Sequence, residues 1–284
     1  MDFTVALAQI DSTVGDHKKN LAKHAEYAKR AAEGGADLVV FPELSLSGYS
    51  IRDIHWELAL RLPGEGKFGE LLNLSNEVSM IVGGVEESED FGLYNVAFLL
   101  EKGEARSVHR KLYPPTYGMF EERRYFSSGK TVRPFESTVG KLGILICEDL
   151  WHLPLPYLLA KGGADVIITI AASPTRLSGK GNEPAIAEIN TEQHRSYGRL
   201  LSTYMVFCNR VGFEDGVNFW GRSEVVDPTG EIVAQAKLFE EDLVFTELHE
   251  NQVRRARRLS RHFLDDDEAI VLRELRRIVE SKNA

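Results

Sequence analysis

Val139-Gly-Lys-Leu-Gly-Ile-Leu-Ile146 runs straight into Cys147-Glu-Asp-Leu-Trp151, and a second apolar run, Asp165-Val-Ile-Ile-Thr-Ile-Ala171, follows. Each run is the length of one strand and apolar nearly throughout, the mark of a strand covered on both faces. The first ends abruptly in two acids, Glu148 and Asp149, which implies a sharp strand-to-helix turn. Such a turn exposes one side chain and aims backbone N–H groups at a common point.

The pattern repeats outward in both directions. Phe3 to Gln9 reads as a buried strand. Asp16 is placed to cap a helix from Lys18 to Glu33, whose Leu21, Ala25, Ala28 and Ala32 recur at helical spacing, and Gly34-Gly35 ends it. Leu38 to Phe41 is a second strand, stopping at Pro42-Glu43. A helix over 67–78 and a strand over 80–85 follow. Leu93 to Glu101 and Glu104 to His109 form a hairpin turning at Lys102-Gly103, before a long loop over 110–130. Beyond Ala171 come a helix over 184–202, a strand over 204–211, and a hairpin of 219–226 and 231–236 around Asp227-Pro-Thr-Gly230. Leu243 to Leu248 is the last strand. Helices and strands thus alternate twice, which predicts a layered α/β fold with mixed sheets.

Composition removes whole classes of function. The chain has 284 residues, 43% hydrophobic and 27% charged, as an ordinary globular protein does. A net charge of -9 opposes binding to nucleic acid or an anionic membrane. Two cysteines allow neither a disulfide framework nor a four-cysteine metal site. The N-terminus lacks the basic and apolar regions of a signal peptide, and no run approaches the ~20 residues of a membrane helix. The expected location is the cytoplasm. The eight histidines show no metal-ligand spacing, so no metal is expected, and His109 and His152 read as incidental.

Three polar residues stand where buried strands give out, the usual place for ligand sites in α/β folds. They are Glu43, Lys111 and Cys147. Taken singly, each has a plain structural reading: a loop acid, a solvated cation and a small buried hydrophobe. Cys208, in Tyr204-Met-Val-Phe-Cys-Asn-Arg-Val211, reads as core.

In order along the chain, three segments resemble the active-site motifs of the nitrilase, or carbon–nitrogen hydrolase, superfamily. Phe41-Pro-Glu-Leu-Ser-Leu-Ser-Gly-Tyr49 resembles its glutamate motif. His109-Arg-Lys-Leu-Tyr-Pro-Pro115, followed by Tyr117-Gly-Met-Phe-Glu-Glu-Arg-Arg-Tyr-Phe126, resembles its lysine motif. Gly143-Ile-Leu-Ile-Cys-Glu-Asp-Leu-Trp151 resembles its cysteine motif. Gly221-Arg-Ser-Glu-Val-Val-Asp-Pro-Thr-Gly230 is similar to a late structural hairpin of the family. Within it, Tyr117-Gly-Met-Phe-Glu-Glu122, Cys147-Glu-Asp-Leu-Trp151 and Asn209-Arg-Val-Gly212 look most like the glutaminase domain of glutamine-dependent NAD synthetases. These 284 residues hold no glycine-rich phosphate loop, so a free-standing hydrolytic domain is expected, without NAD synthesis.

The resemblance implies a four-layer α-β-β-α sandwich and hydrolysis of a small carboxamide through a cysteine thioester, with no cofactor. It assigns Cys147 as nucleophile, Glu43 as base and Lys111 as stabiliser of the oxyanion. A second glutamate assists in the family, and alignment on Tyr125-Phe126 puts it at Glu122, with Glu121 as the alternative. Tyr117, Trp151 and Tyr49 are candidates to line the pocket. Glu148 could meet a substrate ammonium, and Ser173 and Arg176 a carboxylate, which would make glutamine or another ω-amide the substrate. An N-carbamoyl amine or a nitrile would use the same three residues, and a non-catalytic binding module on this fold is the alternative from another class.

The hydrolase domain is expected to span 1–258, with a helical tail over 259–284. Ile270, Leu272, Leu275, Ile278 and Val279 give that tail an apolar stripe. Arg254, Arg255, Arg257 and Arg258 precede the acidic run Asp265-Asp-Asp-Glu268, a pairing that reads as a solvated helix with salt bridges or as a subunit contact. Members of the family commonly pair through helices, so a homodimer or larger homo-oligomer is expected.

Overall fold

The run that ends at Cys147 buries its side chains in two different layers. In a computed structural model describing residues 2–62, 66–175 and 184–282, Leu142, Ile144 and Ile146 face one core while Leu145 faces another. This is the two-residue alternation of a strand with both faces covered.

Fourteen strands and seven helices follow in chain order among the described residues: β1 (Asp2–Gln9), α1 (His17–Glu33), β2 (Leu38–Val40), α2 (Glu70–Leu74), β3 (Ser79–Glu87), β4 (Leu93–Glu101), β5 (Glu104–Arg110), β6 (Phe135–Ser137), β7 (Gly140–Ile146), α3 (Pro154–Lys161), β8 (Val166–Ala171), α4 (Ala185–Leu201), β9 (Tyr204–Asn209), β10 (Val211–Glu214), β11 (Val217–Trp220), β12 (Glu224–Val226), β13 (Ile232–Gln235), β14 (Asp242–His249), α5 (Glu250–Leu259), α6 (His262–Asp265) and α7 (Glu268–Lys282).

The strands form two six-stranded mixed sheets of like design. The first runs β14-β1-β2-β3-β4-β5 and the second β13-β12-β9-β8-β7-β6. Each has three parallel strands at its centre, β1-β2-β3 and β7-β8-β9, flanked by antiparallel neighbours. Val5, Leu7, Leu38, Val40, Ile81 and Leu99 of the first sheet pack on Ile144, Ile146, Ile168, Ile170 and Val206 of the second. On the outer face of the first sheet, Ala6, Ala8 and Val39 pack on Ala25, Ala28 and Ala31 of α1. On that of the second, Leu145, Ile167 and Met205 pack on Leu155 and Leu159 of α3 and Tyr197 and Leu201 of α4. The layers are therefore helix, sheet, sheet, helix, as expected.

Several boundaries differ from the sequence reading. The helix expected over 67–78 is only Glu70–Leu74, because Gly69 before it has φ +51 and ψ -126, which no helix accommodates. The single strand expected over 219–226 is two. Gly221 and Arg222 both adopt positive φ, 71° and 51°, and the chain leaves the β10–β11 hairpin to join the second sheet as β12. A Cβ at Gly221 would lie 2.5 Å from Val211 Cγ1, so only glycine fits that crossing. The strand expected over 204–211 likewise ends at Asn209 and resumes at Val211. The strand expected from Val139 begins at Gly140, and the short β6 pairs with it across a turn. The basic cluster lies on a helix, α5, as the solvated-helix reading expected.

Candidate active site

The two sheets bring the ends of β2 and β7 together. After β2 the chain folds back beneath β3, with Phe41 N–H donating to Ile81 O at 2.8 Å and Leu46 N–H to Gly83 O at 3.0 Å. A Cβ at Gly83 would lie 2.3 Å from Pro42 O, so the absence of a side chain there lets the Glu43 loop approach. The same loop is held from the other side by Glu214 of β10, which accepts the N–H groups of Tyr49, at 3.2 Å, and Ser50.

Glu43 is 1% exposed and its carboxylate is fully engaged. Oε1 accepts from Lys111 Nζ at 2.7 Å and Asn95 Nδ2 at 2.7 Å; Oε2 accepts from the Ala172 N–H at 2.8 Å. Lys111, 1% exposed, also donates to Glu122 Oε1 at 2.8 Å. Glu122, 5% exposed, takes a further bond from the Tyr49 hydroxyl at 2.6 Å. Glu122 is thus the acid that meets Lys111, and Glu121 is exposed. A buried lysine shared between two buried carboxylates satisfies charges that would each be costly alone.

Cys147 opens a 3-10 segment, Cys147–Trp151, at the end of β7. Its φ is +46°, a left-handed conformation that a residue with a Cβ adopts at a cost of about 1–3 kcal/mol. The charges of Glu43, Lys111 and Glu122 all act on the sulfur, and the Ala172 N–H that serves Glu43 Oε2 also favours its thiolate.

The electrostatics follow from burial and these neighbours. Burial and the Glu43 charge push the Cys147 thiol well above its usual range, although Lys111 pulls it down. Burial disfavours the Lys111 cation, but Glu122 and Glu43 outweigh it and hold the ammonium well above the ordinary lysine value. Burial raises Glu122 to about 7 against the pull of Lys111. Burial and the charge of Glu122 also raise Tyr49, so its phenol remains a proton donor. The resting arrangement is a neutral thiol beside a carboxylate and a fixed cation. Such a site can take a proton from the thiol and stabilise negative charge on a carbonyl oxygen.

A cavity of about 140 Å³ opens over the sulfur, lined by Tyr117, Phe120, Cys147, Glu148, Trp151, Ser173, Pro174 and Ile186. The Tyr117 hydroxyl donates to Glu148 Oε2 at 2.7 Å. Ser173 is held by its N–H to Asn209 Oδ1 at 2.8 Å, and its Oγ accepts from Trp220 Nε1 at 3.0 Å. The structure therefore gathers Glu43, Lys111, Cys147 and Glu122 in one cluster, and Tyr117, Glu148, Trp151 and Ser173 around the adjoining cavity. Tyr49 sits behind Glu122, in a neighbouring cavity that shares Phe120. Arg176 lies outside the described residues. Among the described residues no group of three or more His, Cys, Asp or Glu could hold a metal, and no helix is long and apolar enough to cross a membrane.

Several contributors escaped the sequence reading, among them Phe120, Pro174 and Ile186 of the cavity wall. Asn95 bonds Glu43 and, at 3.4 Å, Glu122; the only signal was one amide in the apolar strand β4. Ala172 acts through its backbone and leaves no trace in residue type. Asp149 is wholly buried, and His109, expected to be incidental, bonds to it.

A family model described as carbon–nitrogen hydrolase matches residues 4–258. The glutamine-dependent NAD(+) synthetase of Acinetobacter baylyi is 32% identical over 257 residues, covering 89% of this chain and 45% of that protein. The structure of glutamine-dependent NAD+ synthetase from Acinetobacter baumannii matches with a TM-score of 0.79 at 31% identity, over 89% of this chain and 47% of that one. A carbon–nitrogen hydrolase from Helicobacter pylori G27 matches in fold with a TM-score of 0.83 at 23% identity, over 94% of this chain and 96% of that one. This chain spans less than half the length of the synthetases it matches. With the family model covering nearly the whole chain and the sheets arranged as described, the protein belongs to the carbon–nitrogen hydrolase family and is a hydrolase of carbon–nitrogen bonds.

Proposed function

We propose that the protein hydrolyses a small carboxamide to the carboxylic acid and ammonia through a thioester on Cys147. The observation that carries this reading is the convergence of a thiol, a carboxylate and a buried ammonium on one point. Glu43 takes the thiol proton as the sulfur attacks the amide carbon. The oxyanion that forms is stabilised by the Lys111 ammonium and by the N–H of Glu148, at the first turn of the 3-10 segment, where N–H groups lack a partner within the segment. Collapse of the intermediate breaks the carbon–nitrogen bond, and the proton held by Glu43 leaves with ammonia. Glu43 then deprotonates a water that attacks the thioester, releasing the acid and restoring the thiol. Glu122 and Asn95 hold Lys111 and Glu43 in register throughout.

The substrate is read as glutamine or a related ω-amide. Glu148 is the one charged side chain among the described residues lining the cavity, which favours a substrate carrying an ammonium. Ser173 and Arg176 are assigned to its carboxylate. That acid disfavours uncharged nitriles and uncharged N-carbamoyl amines. The test compares kcat/KM for glutamine with that for butyramide, which keeps the amide and lacks both charges. Glutamine should be preferred by at least about 10²-fold, the scale on which a site's buried polar groups left unpaired penalise a poor match. Equal rates would leave a general aliphatic amidase.

The hydrolase unit is taken as residues 1–258, and the tail over 259–284 as a contact with a second copy. Six apolar side chains of α7, from Ile270 to Val279, are 39% to 60% exposed. Sedimentation should give a dimer or larger, weakened by deleting 260–284; a monomeric parent would overturn this reading.

A further inference from the structure

Asp149 is 0% exposed, and its carboxylate receives four donors. Oδ1 accepts the N–H groups of Leu112 and Tyr113, both at 3.0 Å. Oδ2 accepts the Ile146 N–H at 3.2 Å and faces His109 Nε2 at 3.2 Å, a bond that forms in the tautomer protonated at that nitrogen. The donors fall in two groups. His109, Leu112 and Tyr113 bracket Lys111 on both sides. Ile146 directly precedes Cys147. One buried carboxylate therefore grips the chain before and after the lysine and the residue before the thiol.

We infer that Asp149 is a positioning residue that sets the placement of Cys147 relative to Lys111, and that His109 completes it. Asp149 touches neither the sulfur nor the ammonium. It acts by fixing the two backbone segments that carry them. The need is physical. Cys147 holds a left-handed backbone that relaxes unless its surroundings over-determine it. Lys111 lies at the start of a long loop, beyond the last residue of β5. The Lys111 backbone is held at its own residue, its N–H donating to Asn95 O of β4 at 2.9 Å and its carbonyl accepting from Gly129 N–H at 2.7 Å, but neither bond ties it to the segment that carries Cys147. Asp149 supplies the tie: three of its four donors are backbone N–H groups, that of Ile146 buried and those of Leu112 and Tyr113 half-buried, and one carboxylate satisfies them all. An amide in its place offers one oxygen and one NH₂, so two donors would meet a donor.

This inference rests on the proposed thioester mechanism, and the test separates the two. Asp149→Asn should lower kcat for glutamine by about 10²-fold, the scale of an ångström-sized misplacement, with KM changed by less than about threefold. The discriminating readout is a double-mutant cycle with Lys111→Met. If Asp149 acts through Lys111 and Cys147, its replacement should cost less than about tenfold once Lys111 is gone. A merely structural role predicts full multiplication of the two losses and overturns the inference. Should Asp149→Asn fail to fold, His109→Ala removes one donor only. It should lower kcat by about tenfold, and His109→Gln, which keeps a donor at the corresponding position, should restore most of it. No loss in His109→Ala would overturn the inference. The rate at which iodoacetamide labels Cys147 gives a readout without turnover. A parent inactive on every amide overturns the function, while slower labelling in Asp149→Asn would still support the positioning role. An active parent matched by Asp149→Asn in kcat and in labelling overturns the positioning role alone.

Discussion

The protein holds two cysteines at almost the same height in the same sheet, and they differ in everything that matters for chemistry. Across β7, β8 and β9, Ile146 pairs with Ile170 and Ile170 with Cys208. Cys208 thus lies level with Ile146, one residue short of Cys147. That single step decides the outcome. Cys208 remains in the strand and points into the core between the sheets, with Val40 O at 3.1 Å from its sulfur. Cys147 lies just past the strand, where the backbone turns left-handed. Burial pushes both thiols up, so a raised pKa does not single out the nucleophile. Neighbours separate the two thiols: the buried charges of Glu43, Lys111 and Glu122 act on Cys147. Under the proposed mechanism, environment makes the same side chain packing in one place and a reagent in the other.

Replacing the sulfurs in turn should break that comparison most sharply. Cys147→Ala should lose about 10⁵-fold or more in kcat, the scale of removing a nucleophile, with thermal unfolding little changed. Comparable activity in variant and parent would end the mechanism. Next in size, Lys111→Met should lose about 10²–10³ in kcat, as when one oxyanion donor is removed. If it keeps most of its rate, Lys111 only neutralises two acids.

Glu122 sharpens the comparison through pH. It pairs with Lys111 as a carboxylate and takes a proton near pH 7, so kcat/KM should fall on the acid side of about 7. Glu122→Gln should lose that limb and about 10–10² in rate, the scale of one hydrogen bond to a charged group. Folding carries the opposite sign. A carboxyl raised from 4.5 to about 7 contributes stability that is present below about 4.5 and lost as pH rises through about 7. The parent's urea midpoint should therefore drop across that window more than that of Glu122→Gln. The smallest effect belongs to Cys208→Ala: activity within about twofold, and stability lower by about 1 kcal/mol, as for deletion of one small buried group.

What could be read beforehand reflects where the information lies. Strands covered on both faces, such as β7 and β8, announce themselves as apolar runs, and their ends mark Glu43 and Cys147. The layered α/β class followed from their alternation with helices, and the layer order from the family likeness alone. The partners of those residues did not. Glu43 meets Asn95 of β4 only because β2 and β4 share a sheet, and Ala172 only because the two sheets stack, across 52 and 129 residues of chain. Asp149 was counted as one of two acids after a strand, and nothing in its identity separates it from Glu148, which faces the cavity. The split at Gly221-Arg222 was hidden because strand periodicity continues on both sides of it. β6, of three residues, is too short to show a period at all.

The central claim is that Cys147, and not Cys208, carries the acyl group. Peptide mapping by mass spectrometry after acid quench during glutamine turnover tests it directly. The account predicts the mass of a glutamyl group on the peptide holding Cys147, lost when turnover is allowed to finish, and none on the peptide holding Cys208. Continued ammonia release with no adduct on Cys147 at any quench time, and persisting in Cys147→Ala, would contradict it.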